Sequence, residues 1–172
     1  DYSAMFWPGF TIPATPMRFI VPWQWTYLNT WLGSKHLANN RIDSTFTDAY
    51  GISIHYHRWA PKGESKAVIQ IVHGLGEHAL RYRYLAERLV AQGYEVWADE
   101  LRGHGPTGLE QWNGDFSKLG KLGPGGVRAA ISAVRQFSGI IRKERPGKQL
   151  IIVGHSLGAI FSQMILNIGG SR

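Results

Sequence analysis

From Thr45 onward, apolar and polar positions follow first one period and then another. Thr45-Phe46-Thr47 and Ile52-Ser53-Ile54-His55-Tyr56-His57 alternate, with Tyr50-Gly51 between them, which predicts a β-hairpin with one solvated face. Ala67 to Val72 is apolar on both sides, the pattern of a strand in the middle of a parallel sheet. Leu80 to Gln92 carries Leu85, Leu89 and Val90 at helical spacing and exits at Gly93, which predicts a helix. Glu95-Val96-Trp97-Ala98 reads as the next strand. Pro124 opens a long helix to about Arg145, with Val127, Ile131, Val134 and Ile141 as its buried stripe. Arg128, Arg135 and Arg142 line another face of that helix, read as solvated. Gln149 to Val153 is a further strand, and Leu157 to Asn167 the helix that leaves it.

Strands that alternate with helices imply right-handed crossovers and a mostly parallel sheet. The expected fold class is therefore α/β, a mostly parallel sheet of five strands with flanking helices, starting with a hairpin. In such sheets reactive groups gather where the strands end. Three loops lie at such ends: His73-Gly74-Leu75-Gly76-Glu77-His78, Asp99-Glu100-Leu101-Arg102-Gly103-His104-Gly105, and the turn at Ser156.

Residues 1–43 have a different texture and are expected to form a separate aromatic arm before a domain over 44–172. The arm holds Trp7, Trp23, Trp25 and Trp31, and Pro8, Pro13, Pro16 and Pro22 interrupt every apolar run. No stretch of it spans a bilayer, and it lacks the form of a signal peptide. Pro22 can open a short helix ending before Gly33, on which Trp23, Tyr27 and Trp31 share a face. The arm is expected to pack on the domain. The alternative is an interfacial helix that makes peripheral membrane contact, although it has few basic residues for that role.

With 172 residues and 44% hydrophobic composition, the chain can build one real core but hardly two. It has no cysteine, which removes disulfides and cysteine-based metal or redox sites and is compatible with a cytoplasmic location. The net charge of +7 is spread without a basic block, so nucleic acid is not an expected partner. His55 and His57 share a strand face, but two ligands make no metal site. They are expected to be exposed, and no metal or cofactor is expected. Asp1 and the closing Gly169-Gly170-Ser171-Arg172 both look cut from something longer.

The candidate chemistry centres on Gly154-His155-Ser156-Leu157-Gly158, which follows the apolar run Leu150 to Val153. A nucleophilic serine at the apex of a strand-to-helix turn takes a strained backbone. Gly154 and Gly158 remove side chains that would clash with the neighbouring strand and helix. The serine also sits at the amino end of a helix, where amides and dipole favour developing negative charge. Acyl transfer needs two amides aimed at the oxyanion. One belongs to the residue after the nucleophile, here Leu157, and the other to a glycine-flanked loop after an earlier strand, here Leu75. His73 is read as a structural histidine bridging loops rather than as a general base.

These motifs taken together, His73-Gly74-x-Gly76-Glu77-His78…Arg81-Tyr82, Asp99-x-x-Arg102-Gly103-His104-Gly105 and Gly154-His155-Ser156-x-Gly158, resemble the α/β-hydrolase superfamily. More narrowly the chain is similar to its monoacylglycerol lipase and lysophospholipase-like branch, over about residues 44–168. The resemblance implies Ser156 as nucleophile and the amides of Leu75 and Leu157 as the oxyanion hole. It implies that Glu77, His78 and Arg81, with Gly74, brace the oxyanion loop. The Asp99, Arg102 and His104 positions match a turn read as structural.

One departure matters. The superfamily places Asp or Glu and then His after the serine, and residues 157–172 contain none of these. The acid, the base and the cap are expected beyond residue 172, and His155, adjacent to the nucleophile, is expected to point away from it. The leading reading is the amino-terminal part of a serine hydrolase acting on small lipid-like esters, inactive as this chain. The alternatives are a non-catalytic binding or regulatory fragment, and a short-chain carboxylesterase or serine aminopeptidase-like hydrolase. The strand ending at Val153 is expected to form an exposed sheet edge.

Overall fold

A computed structural model describes residues 41–169. The arm expected over 1–43, with its proposed helix from Pro22 to Gly33, lies outside the described residues up to residue 40. Its last three positions already belong to the first strand. The order is β1 (Arg41–Thr47), β2 (Ser53–Trp59), β3 (Val68–Val72), a 3₁₀ turn (Ala79–Tyr82), α1 (Arg83–Ala91), β4 (Glu95–Asp99) and α2 (Gly105–Gln111). A second 3₁₀ turn (Phe116–Lys118), α3 (Gly126–Glu144), β5 (Leu150–Gly154) and α4 (Leu157–Gly169) follow.

The strands form one sheet in the order β1-β2-β4-β3-β5. β1, β2 and β4 pair antiparallel, whereas β3 runs parallel to both β4 and β5. Every residue of β3 and β4 is buried, as two-sided apolar strands under helices should be. Alternation along β3 sends Ile69 and Ile71 to one face, where they pack with Leu80, Ala86 and Val96 under α1. Val72 faces the other layer with Ile131, Val134 and Phe161 of α3 and α4. On that side Val68, Trp97, Phe137 and Ile141 extend the core towards the hairpin. There Phe46 stacks on Phe137 and Tyr56 on Trp97, both at 5.6 Å between ring centroids. Gln70 is the one polar side chain of β3. Ser138 donates to its Oε1 at 2.6 Å, so the amide is satisfied and ties the strand to α3.

Three expectations need correction. Leu85 is 41% exposed, because the 3₁₀ turn shifts the helical phase and Ala86, Leu89 and Val90 meet the core instead. Val127 is 51% exposed in the first turn of α3, ahead of where that helix meets the sheet, while Phe137 is fully buried. His57 is buried rather than exposed, because Asp43 on β1 and Glu100 after β4 enclose its ring. The short helix α2 went unpredicted. Its glycines have low helix propensity, and packing holds it: a Cβ at Gly108 would lie 2.4 Å from the Gly103 carbonyl carbon.

Candidate active site

β3 and β5 end in register, with Val72 paired to Gly154. The loops that follow, from His73 and from His155, therefore leave the sheet side by side. The amide of His155 donates to the Val72 carbonyl at 3.0 Å and carries the pairing one step further. Ser156 comes next, exposed, with φ of 51°. A non-glycine residue in the left-handed region is strained and is held there by its surroundings. Those surroundings are tight backbone. A Cβ at Gly158 would lie 2.1 Å from the Val72 oxygen, and one at Gly154 would lie 2.5 Å from the Gly158 oxygen. Both glycines permit a turn that no larger residue could make.

The loop after β3 closes over this turn. A Cβ at Gly74 would sit 3.1 Å from Ser156 Cβ and 3.2 Å from His155 Nδ1, so the loop reaches the serine at Gly74. Leu75 is the next residue and is 64% exposed. Among the described residues the Ser156 hydroxyl has no hydrogen-bond partner. His155 turns to the loop instead, its Nδ1 3.1 Å from Glu77 Oε2.

That oxygen also accepts from the Gly74 amide at 2.8 Å and from the Tyr82 hydroxyl at 2.7 Å. Arg81 adds an ion pair at 3.4 Å to the other oxygen. Burial opposes the charge on Glu77, but the hydrogen bonds from Tyr82, Gly74 and His155 outweigh it and lower the carboxyl to about 2. The site residues Glu77 and Arg81 thus meet Gly74. His78 is buried beside them, and burial lowers its pKa.

His73 is buried completely. Its Nε2 accepts from the Leu101 amide at 3.0 Å, so Nδ1 carries the hydrogen and donates to the Gly74 oxygen at 2.8 Å. The ring bridges the loops after β3 and β4 and has no free nitrogen for a proton from Ser156. Glu100 lies beneath, buried, and accepts from the Ala79 amide at 3.0 Å and from His57 at 3.3 Å. Burial pushes Asp99 up to about 7. Arg102, also buried, pairs with Asp48 at 3.2 Å and donates to the Pro124 oxygen at 2.6 Å, which joins the hairpin to the start of α3. Sequence reasoning placed Tyr82 in the Arg81-Tyr82 motif but gave it no role, and it missed Glu100 and the contact of His155. The bond from Tyr82 to Glu77 needs the 3₁₀ turn, and Glu100 gains its meaning only from β2.

A family profile described as serine aminopeptidase, S33, a hydrolase family, matches residues 63–167. The chain belongs to this family. Proteins similar to this chain include a monoacylglycerol lipase of Mycolicibacterium smegmatis, 30% identical over 71% of the chain. The human monoglyceride lipase is 33% identical over 58% of the chain. The S33 chain spans 40% of the mycobacterial protein and 30% of the human one. Among solved structures, a lipase in its open form superposes with a TM-score of 0.68 at 27% identity, covering 77% of this chain and 41% of that one. A thermostable carboxyl esterase from Bacillus coagulans gives the same TM-score at 24% identity over 78% of this chain and 42% of the esterase. Its likeness establishes the α/β-hydrolase fold.

Proposed function

We propose that this chain carries the nucleophile and oxyanion half of a serine hydrolase for small lipid-like carboxylic esters, a monoacylglycerol or a lysophospholipid. The observation that carries the reading is Ser156 at a positive φ, exposed, wedged between two obligatory glycines and faced by the Gly74–Leu75 loop. In the proposed reaction Ser156 Oγ bonds to the ester carbonyl carbon as its proton passes to a base. The carbonyl oxygen becomes an oxyanion held by the amides of Leu75 and Leu157, assisted by the amino end of α4. Collapse breaks the bond to the alcohol, which takes the proton, and water then releases the acid from the acyl-serine.

The base is proposed to come from the natural protein outside the described residues, because none of the histidines within them reaches the hydroxyl. The lipase and monoglyceride lipase names of the relatives favour a lipid ester over a peptide bond. No helix among the described residues is long and apolar enough to cross a membrane. The aromatic residues 1–43 are proposed to pack on the domain, with contact to a membrane surface as the second reading, and the proposed location is cytoplasmic.

The test is glycerol release from a monoacylglycerol by the natural protein and by its Ser156→Ala variant. The expected result is turnover in the first and its loss in the second by a factor on the order of a thousand or more. Equal turnover in both would refute the reading.

A further inference from the structure

The solvent face of α3 carries cations and no acid. Arg128, Arg135 and Arg142 recur every seven residues, a spacing that keeps them within about 40° of one line along the helix. Lys143 lies roughly 60° round from Arg128, and Ser132 and Gly139 fall between these cations. All six residues are exposed. A Cβ at Gly139 would meet nothing within 4 Å, so no other element leans over the band there. The one acid of α3, Glu144, falls roughly 160° away from Arg128. None of the four cationic side chains has an ion pair or hydrogen bond among the described residues, whereas Arg145, just past the helix, is held by Glu95 at 2.8 Å. From Arg128 to Arg142 the band runs about 20 Å.

The chemistry of the band selects its partner. Covering it with a dry protein face would bury unpaired charges at high cost. A wet surface dense in negative charge complements it instead, and arginine forks suit phosphate and carboxylate groups. Lipid head groups and nucleic acid both offer such a surface. The band has no aromatic side chain on which a base could stack. Residues 1–40 hold Trp7, Trp23, Trp25 and Trp31 and a single acid, Asp1, and tryptophan prefers the edge of a bilayer. They join the sheet at Arg41, which pairs with Trp59, and Trp59 pairs with Val96, next to Glu95. Glu95 in turn holds Arg145. The aromatic stretch therefore enters the fold at the same end of the sheet as Arg142 and Lys143.

We propose that the outer face of α3 docks the protein on an anionic lipid surface through Arg128, Arg135, Arg142 and Lys143. On the second reading of residues 1–43, their tryptophans meet the same surface. Each basic residue near such a surface strengthens binding about fivefold.

The test is sedimentation of the natural protein with phosphatidylcholine vesicles, with and without about 30% phosphatidylserine, at about 0.15 M salt. Binding should require phosphatidylserine and weaken as salt is raised. The triple variant Arg128→Gln, Arg135→Gln, Arg142→Gln should bind about a hundredfold more weakly, with its thermal melt unchanged. The matching triple exchange to Lys, which keeps the charge, should stay within about threefold. Arg135→Gln alone should lose about fivefold and serves if the triple variant does not fold. If phosphatidylserine makes no difference, or the Gln variants bind as tightly as the natural protein, the docking face is wrong. If a duplex oligonucleotide binds more tightly than the vesicles at the same salt and the Gln variants lose it, the face serves nucleic acid and the lipid assignment is wrong. Vesicle binding reads no turnover, so the docking face and the hydrolase chemistry fail separately.

Discussion

Glu77 on the loop after β3 holds His155, the residue just before Ser156, across a 3.1 Å contact to Nδ1. The two loops that face each other at the candidate site are thus joined by a carboxylate as well as by the sheet beneath them. Tyr82 and the Gly74 amide converge on the same oxygen.

Replacing that carboxylate should be costly in a pH-dependent way. The folded pKa of about 2 lies below the ordinary 4.5, so the stabilisation is complete above 4.5 and disappears as pH falls towards 2. Glu77→Gln is expected to destabilise the protein by about 2 kcal/mol at neutral pH, the usual loss for hydrogen bonds to a charged group. Thermal melts of both proteins at pH 7, 5 and 3 check this. A gap that does not narrow at pH 3 would contradict it.

Ser156 should be more comfortable as glycine. Left-handed backbone costs a residue with a Cβ about 1–2 kcal/mol, and Ser156 has φ of 51°. Ser156→Gly is therefore expected to exceed Ser156→Ala in stability by about 1 kcal/mol. Urea unfolding compares the two. Equal midpoints would mean that the turn stores no strain.

Gly158→Ala should fail for the opposite reason. Its Cβ would lie 2.1 Å from the backbone oxygen of Val72, which has no side-chain freedom with which to yield. The expected cost is about 3 kcal/mol, at the upper end for overpacking. A denaturation midpoint near that of the unsubstituted protein would show that β3 and α4 can separate without penalty.

His57 should make stability depend on pH in the alkaline direction. Its two nitrogens face Asp43 at 2.7 Å and Glu100 at 3.3 Å, so both donate and the ring is charged. Burial opposes that charge, but the carboxylates outweigh it and raise the pKa above the ordinary 6.5. The contribution is complete below 6.5 and is lost as pH rises through the folded value. His57→Gln is expected to destabilise more at pH 6 than at pH 9. An NMR titration that places the ring pKa below 6.5 would contradict this.

The hairpin, the two buried strands and the strand-to-helix turn at Ser156 with its glycines could all be read from the sequence, because each rests on local periodicity or on backbone space. Helix phase was less legible. Leu85 and Val127 fit the spacing, but a 3₁₀ turn ahead of α1 and the place of Val127 in the first turn of α3 leave both exposed. His57 was out of reach for a different cause. Its burial comes from Asp43 on one side and Glu100 on the other, and only the pairing of β1, β2 and β4 brings them together. The same holds for the Glu77 contact with His155, which exists because β3 and β5 are neighbours.

β5 forms one edge of the sheet, with Ile151 and Val153 at 36% and 41% exposure and Ile160 and Met164 exposed on α4. An apolar edge invites pairing with other chains. The 172-residue chain is therefore expected to elute larger than a monomer, and Val153→Lys to shift it towards one. A sharp monomer peak for the unsubstituted chain would remove the basis for this.

The sheet order also puts a clock on synthesis. β3 lies between β4 and β5, and its partner on the β5 side emerges from the ribosome roughly eighty residues later. At about 5–20 residues per second, that is a wait on the order of four to sixteen seconds. Throughout it, the strand that supports Gly74 and Leu75 has one row of amides and carbonyls unclaimed. Ser156 is translated only at the end of this interval, so the nascent chain acquires the turn at Ser156 in nearly the same moment as the strand that closes the gap.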